Sequence, residues 1–287
     1  MLGMTVRELR GGRLGSLLDE VDEHGAAALP APRSPPDLRG YLELALRSGF
    51  PEPALHLAAE TRSVWLDSYI EQLLTRDAEQ LSSGRDPDRL RRYFEAVALN
   101  TAGVVTETTL YQAAGINRRT AVAYEQLLKN LFVIEWLPAW SSNRLKRLTR
   151  TPKRHLIDPS LAAVALRLDA NAILRDGDLL GRMLDGFVTA QIRADAAVSQ
   201  TLPRLHHLRQ EDGRHEIDLL IEMRAQRVVA IEVKADAAPS SDAARHLRWL
   251  KHELGERFLL GIVFHTGPRR YEIEERIVAA PIATLWA

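Results

Sequence analysis

Apolar residues recur at three- and four-residue spacing through the first half of the chain and gather into short strand-like blocks in the second. The pattern therefore predicts helices first and a sheet later. Residues 1–36 close on Pro30, Pro32, Pro35 and Pro36, which cannot continue a helix or a central strand, and read as a linker or the remnant of a lost module. After Asp37, the positions Leu38, Tyr41, Leu42, Ala45 and Leu46 mark a helix stopped by Gly49 and Pro51. A longer helix is expected from about Ala58 to Leu81, with Val64, Trp65, Ile70, Leu73 and Leu74 on its apolar side. Gly84 and Pro87 close this helical segment, 37–90.

Three helical pieces follow between Leu90 and about Leu131. Gly115 ends the second, and Asn117 caps the third, whose Ala121, Tyr124, Leu127, Leu128 and Leu131 share one face. Two strand-like runs, FVIEWLPAW and KRHLID, then flank a basic loop. Helix, turn, helix and a two-stranded wing make 91–170 a winged helix. The last block, 175–287, reads helix, strand, strand, strand, helix, strand.

Within that block the runs EIDLLIE and VVAIEVK are separated by five residues, with a turn centred near Ala225, so they form an antiparallel hairpin. Pairing partners that sum to 450 put Ile217, Leu219 and Ile221 opposite Val233, Ile231 and Val229, an apolar face that must be core. The other face sets Asp218 opposite Glu232. Carboxylates so placed repel unless a positive charge lies between them, and a hard cation such as Mg²⁺ or Mn²⁺ suits two oxygen donors and water. Lys234, on the same face as Glu232, would orient or activate a water and offset charge on a phosphate. The plainer alternative is a salt-bridged sheet face in which Glu216 pairs with Lys234.

Composition narrows the chemistry. The 287 residues contain no cysteine, which excludes disulfides, thiolate metal sites and a cysteine nucleophile. Basic and acidic residues balance at 38 each, so attraction to nucleic acid must come from local patches. One such run is Arg144, Lys146, Arg147, Arg150, Lys153 and Arg154 in the wing, and Arg118 and Arg119 open the recognition helix. Solvated charge or a protein-binding winged helix is the alternative for both. Only five residues are lysine, so Lys234 is an uncommon choice in this chain. No apolar run is long enough to span a membrane and the start lacks the form of a signal peptide, so the chain reads as cytoplasmic. His206 and His207 point to opposite strand faces and read as non-catalytic, and Trp65, Trp136, Trp140, Trp249 and Trp286 read as core.

The arrangement Asp218, Glu232-Val-Lys234, preceded by the helix Gly181-Arg-Met-Leu-Asp185, resembles the PD-(D/E)xK nuclease superfamily. The stretches SGFPEPAL, NRLKRLTRTPKRHLID, LLGRMLDGFV, HEIDLLIE, IEVKA and APIATLW are similar to a bacterial family, domain of unknown function 4143, over about residues 37–287. The resemblance implies a mixed α+β chain: a helical segment and winged helix-turn-helix, then a restriction-endonuclease-like αβββαβ domain. It implies Asp218 and Glu232 as metal ligands, Lys234 as the catalytic lysine and Asp185 as a first-helix carboxylate. Members usually have glutamate at the Asp185 position and a second glutamate where this chain has Gln191. They also carry an AAA+-type ATP-binding module in front. No phosphate-binding Gly-rich motif occurs here, so no ATP site is expected and a separate ATPase, or self-association, becomes a candidate partner. The two functions implied are a metal-dependent DNA nuclease and an inactive nuclease-fold interaction module.

Overall fold

A computed structural model describes residues 2–12, 15–77, 86–141, 150–210 and 213–287. Two short helices, α1 (Val6–Leu9) and α2 (Leu17–His24), precede α3 (Leu38–Leu46), α4 (Pro51–Leu55) and α5 (Ala59–Gln72). Next come α6 (Pro87–Leu99), α7 (Glu107–Ala113), α8 (Arg118–Asn130), β1 (Ile134–Leu137) and β2 (Lys153–Leu156). Helices α9 (Pro159–Ala165), α10 (Ala170–Arg175) and the long α11 (Gly177–Val198) lead into β3 (Arg204–Arg209), β4 (Glu216–Glu222) and β5 (Val228–Val233). Helix α12 (Arg245–Leu254), β6 (Phe258–His265), β7 (Tyr271–Glu274) and β8 (Ile277–Pro281) complete the chain. This is the mixed α+β class expected, helical first and sheet-bearing at the end.

The chain divides into two compact units. The first comprises Met1–Met4, Glu43–Trp136 and Thr151–Phe187, and the second comprises Thr5–Leu42, Leu137–Arg150 and Val188–Ala287. In the first, α9 packs on α5 and α6, burying Leu66, Ile70, Leu90, Phe94, Leu161 and Ala162. Each such large side chain taken from water is worth about 1.5–3 kcal/mol. Pro87, expected to end a segment, instead begins one. Its lack of an N–H costs nothing at the first helical position, and Asp86 caps α6 by accepting from the Asp88 and Arg89 amides at 3.0 and 3.2 Å. Asn117 caps α8 as expected, accepting from the Thr120 amide at 2.9 Å. Helices α6, α7 and α8 are followed by the β1–β2 sheet, and Gly103, between α6 and α7, forms an antiparallel bridge to Arg154 of β2. That order is the one a winged helix has.

The second unit is built on a six-stranded sheet of order β3-β4-β5-β6-β8-β7. Strands β3, β4 and β5 run antiparallel, whereas β5, β6 and β8 are mutually parallel, joined through α12 on the β5–β6 crossover. The hairpin register holds: Leu219 pairs with Ile231 and Ile221 with Val229. Both sheet faces are covered, since Leu220 and Ala230 are as buried as Leu219 and Ile231. Strands β7 and β8 extend the expected αβββαβ order. Their sequences, YEIE and IVAAP, are only four and five residues long.

The N-terminal stretch corrects the linker reading. Val6, Leu17, Leu18, Val21 and Leu29 are buried, and residues from Thr5 belong to the sheet-bearing unit. Asp195 of α11 accepts from Ser16 Oγ and the Leu17 and Leu18 amides at 2.8–3.0 Å, satisfying the start of α2. Arg227 pairs with Asp22 at 2.6 Å. Proline stops helices but does not stop a chain from packing, so the composition of 30–36 was no guide to what precedes it.

Candidate functional site

The chemistry expected of the hairpin depends on where its register places three side chains. Asp218 lies on β4 and Glu232 on β5, and Lys234 is the first residue but one after Glu232 along the same face. The Val233 amide donates to Asp218 Oδ2 at 2.9 Å, tying the carboxylate across the hairpin. Lys234 Nζ donates to Glu232 Oε2 at 2.8 Å. The Glu232 side chain is 3% exposed and that of Lys234 is 33% exposed, so the ammonium forms the wet end of the pair. Glu216 bonds to Arg209 at 3.8 Å rather than to Lys234, which removes the simple cross-strand salt bridge as the account of this face.

The backbone around Lys234 is firmly seated. Its amide donates to Phe264 O at 2.8 Å, extending the β5–β6 pairing by one residue. Beyond it Thr266 Oγ1 and the Thr266 amide donate to Ala235 O and Asp236 O at 2.7 and 3.1 Å. Gly267 approaches this loop so closely that a Cβ there would lie 1.7 Å from Ala237 O. Only glycine fits, and the closeness fixes the strand end that carries Lys234. Burial works against the Lys234 charge, but the Glu232 and Asp218 carboxylates outweigh it and hold the amine above the usual lysine pKa. In this state it is an ammonium that donates and does not accept protons.

Helix α12 and the loop before β4 add four residues that the motif did not indicate. Arg245 Nε donates to His246 Nε2 at 3.1 Å, and His246 Nδ1 faces His215 Nδ1 at 3.3 Å. His215 stacks on Trp249 with ring centroids 4.1 Å apart and planes within 9°. Burial, helped by the charges of Arg245 and Lys234 and by His215, lowers the His246 pKa, with Asp218 opposing. His246 thus lies within electrostatic reach of Asp218 and Lys234. The signal was present as two lone histidines at unrelated spacings, 31 residues apart, and only the fold joins them.

Asp185 is placed in the other unit. It forms a buried ion pair with Lys153, both side chains less than a tenth exposed. The expected basic run is corrected accordingly. Lys153 is held by Asp185 and Arg154 by Glu125, each almost wholly buried, because β2 is an inner strand flanked by β1 and Gly103. Arg150 donates to Arg209 O at 3.5 Å, and Arg144, Lys146 and Arg147 lie outside the described residues.

Helix α8 behaves differently. Arg118, Arg119, Val122, Gln126 and Asn130 line its exposed face, with Gln126 donating to Asn130 at 2.9 Å. The one carboxylate on α8, Glu125, is turned inward, where it bonds to Arg154 and accepts from Trp136 Nε1 at 2.9 Å. The outer face of α8 thus carries no acidic residue of its own, and Glu107 of α7 lies 3.4 Å from Arg118. Trp136, expected in the core, is 38% exposed and carries the Lys129 ammonium 3.7 Å over its ring. His206 and His207 are both buried in β3, at an irregularity in its pairing, and His206 lies 3.8 Å from Glu222.

Asp218 and Glu232 are hard oxygen donors, the class that suits Mg²⁺ or Mn²⁺. Among the described residues no group of three or more His, Asp or Glu side chains is arranged to hold a metal ion. A cation here would therefore complete its shell largely with water. Among those residues, too, no helix is long and apolar enough to cross a membrane.

Comparison with known families divides the chain. Residues 180–285 match the model of a domain of unknown function, DUF4143, and residues 38–172 match a second, DUF8612. The DUF4143 match is narrower than the span over which the sequence resembled that family, and the DUF8612 match takes most of the remainder. No curated protein and no solved structure matches the chain.

Proposed function

We propose that this chain binds DNA through its winged helix and hydrolyses phosphodiester bonds at Asp218, Glu232 and Lys234. The observation that carries this reading is the convergence of two carboxylates and one ammonium on one face of a hairpin whose intervening positions, 219–221 and 228–231, are apolar. Polar groups of that kind are costly to bury and are retained where they do chemistry. Asp218 and Glu232 would hold a Mg²⁺ ion, which when bound supplies positive charge to the phosphate being cut. Lys234, turned from Glu232 toward substrate, donates to a phosphate oxygen and neutralises charge developing there, while the attacking water gives up its proton to solvent. Asp218 is kept oriented by the Val233 amide. The uncharged-to-basic face of α8 supports contact with a duplex, with Arg118 and Arg119 meeting phosphates or base edges and Val122 and Gln126 next along the helix.

A second reading, an inactive interaction module of the same fold, draws on a specific observation. Asp185, the helix carboxylate that the nuclease resemblance recruits, is committed to Lys153. Cleavage of plasmid and single-stranded DNA with Mg²⁺ or Mn²⁺ separates the two. The nuclease reading expects cutting that disappears in Lys234→Ala and with chelator. DNA binding without cutting, equal in wild type and Lys234→Ala, selects the module.

A further inference from the structure

Helix α8 ends on a residue that breaks two local rules at once. The Phe132 amide donates to Lys129 O and the Val133 amide to Leu128 O, both at 3.0 Å, which closes the helix with Phe132 turned into the left-handed region at φ 57°. Glycine or asparagine is the usual occupant of such a position, because a Cβ is strained there. The Phe132 ring is also 65% exposed, so no packing offsets the strain. A large side chain kept on those terms is expected where it has something to touch.

What surrounds the ring identifies the partner. Lys129 follows Arg118 by eleven residues, about three turns, so the two cations share one stripe of α8, with Val122 between them and Gln126 alongside. Trp136 of β1 borders that stripe. Lys129 Nζ lies 3.7 Å over its ring, and its Nε1 donates to Glu125 Oε1 at 2.9 Å, which fixes the indole while leaving it part exposed. Alternation along β1 sends Glu135 to the side away from Trp136. A row of cations that ends in exposed rings fits a polyanion whose apolar surface is a set of flat faces, and that is a nucleic-acid strand. Bases within a duplex hide their faces in the stack, and opening a step costs stacking, so the face that Phe132 can meet freely is that of an unpaired base.

We propose that Phe132 stacks on an unpaired base where a single strand leaves a duplex held on the outer face of α8, with the Lys129 ammonium, seated on Trp136, meeting an adjoining phosphate. The inference rests on the reading of α8 as the DNA-contacting helix and names the form of DNA it prefers. Stacking of this kind is tolerant of sequence, since every base offers a π-face. The junction, and not a particular base, is what the end of α8 would select.

The test is fluorescence-anisotropy binding of three end-labelled probes to the full chain, in Ca²⁺ so that nothing is cut: a blunt duplex, the same duplex with a single-stranded tail, and the tail strand alone. Wild type should bind the tailed duplex most tightly. Phe132→Gly should bind it about tenfold more weakly, the loss of one base–aromatic stack, while binding to the blunt duplex falls much less. Phe132→Trp keeps a ring and should keep the preference. Because glycine relaxes the left-handed backbone, Phe132→Gly should also melt no lower than wild type, which a packing role for the ring would not allow. Lys129→Met should lower the salt slope of the tailed complex by about one unit, and an unchanged slope removes its phosphate contact. A wild type without preference for the tail overturns the inference, as does equal weakening of both duplex probes by Phe132→Gly. Binding of every probe unchanged in Phe132→Gly also overturns it and leaves the ring to a protein partner. The reading of α8 is judged separately by Arg118→Ala combined with Arg119→Ala on the blunt duplex. Unchanged binding there removes the duplex from α8, whereas a wild type that holds the blunt duplex through those arginines and ignores the tail loses only the role of Phe132. A wild type that binds no probe overturns both.

Discussion

Lys153, at the start of β2, and Asp185, midway along α11, form an ion pair with almost no access to water. Two charges held this way have already lost their hydration, and removing one strands the other. Lys153→Met should therefore cost about 3–5 kcal/mol in urea unfolding, while Lys153→Met combined with Asp185→Leu recovers most of it. Neither variant should change stability differently with and without Mg²⁺. A metal-dependent difference at Asp185 would return to it the ligand role that its sequence context suggests.

The same burial separates the basic residues between α8 and β2 into two groups. Arg118 and Arg119 are solvent-facing, Lys153 and Arg154 are not. Removing one cation from a DNA phosphate lowers the salt slope of duplex binding by about one unit. Arg118→Ala and Arg119→Ala should each reduce the slope of log K against log salt, and Lys153→Met should leave it unchanged at matched folded fraction.

Tyr41 belongs to the stretch that joins the sheet unit from the N-terminal side. Its hydroxyl oxygen accepts from the Ala283 amide at 3.0 Å, and its ring meets Trp286 edge-on at 6.0 Å. Tyr41→Phe leaves a buried N–H without its acceptor and should cost about 1–3 kcal/mol. Burial pushes the phenol up to about 12. A raised pKa means the folded state holds its proton longer than the unfolded one, so this stability is complete below pH ~10 and drains away as pH rises through the folded value. Alkaline unfolding followed by tryptophan fluorescence should begin near that range in wild type, and Tyr41→Phe should lack this component.

His265 at the end of β6 gives the opposite dependence. It is fully buried, its Nδ1 accepts from the Gly267 amide at 3.0 Å, and burial lowers its pKa. The unfolded chain takes up the proton first as pH falls through about 6.5, so stability present above that value is lost below it. Between about pH 7.5 and 5.5, wild type should lose more stability than His265→Asn, which keeps an acceptor for Gly267 and has nothing to titrate. Equal losses would show that this histidine is not a source of acid sensitivity.

What could be read in the sequence follows the range of the forces involved. The β4–β5 register was legible because alternation is local and an apolar face tolerates one phase only. That same register brought Asp218, Glu232 and Lys234 together. The α8 cap was legible because Asn117 acts within three residues. The Lys153–Asp185 pair spans 32 residues and the His215–His246 contact 31, and no local pattern reports such distances. The packing of Thr5–Leu42 was illegible for another reason: its helices are too short to show a periodicity, and its polar bonds reach across the sequence, from the start of α2 to Asp195 and from Ser199 to Asp19.

Ala225 and Gln226 turn the hairpin with φ of 56° and 59°, conformations usually left to glycine or asparagine. Between them they hold the phase of two strands. A shift of the pairing by one residue there would exchange the layer that holds Leu219 and Ile231 with the one that holds Leu220, Ala230 and Glu232, and both are buried. Such a chain could not persist as a folded but inert protein, because the change that disarms it also repacks two buried layers. At this hairpin, length variation is therefore filtered by folding before activity is ever at stake.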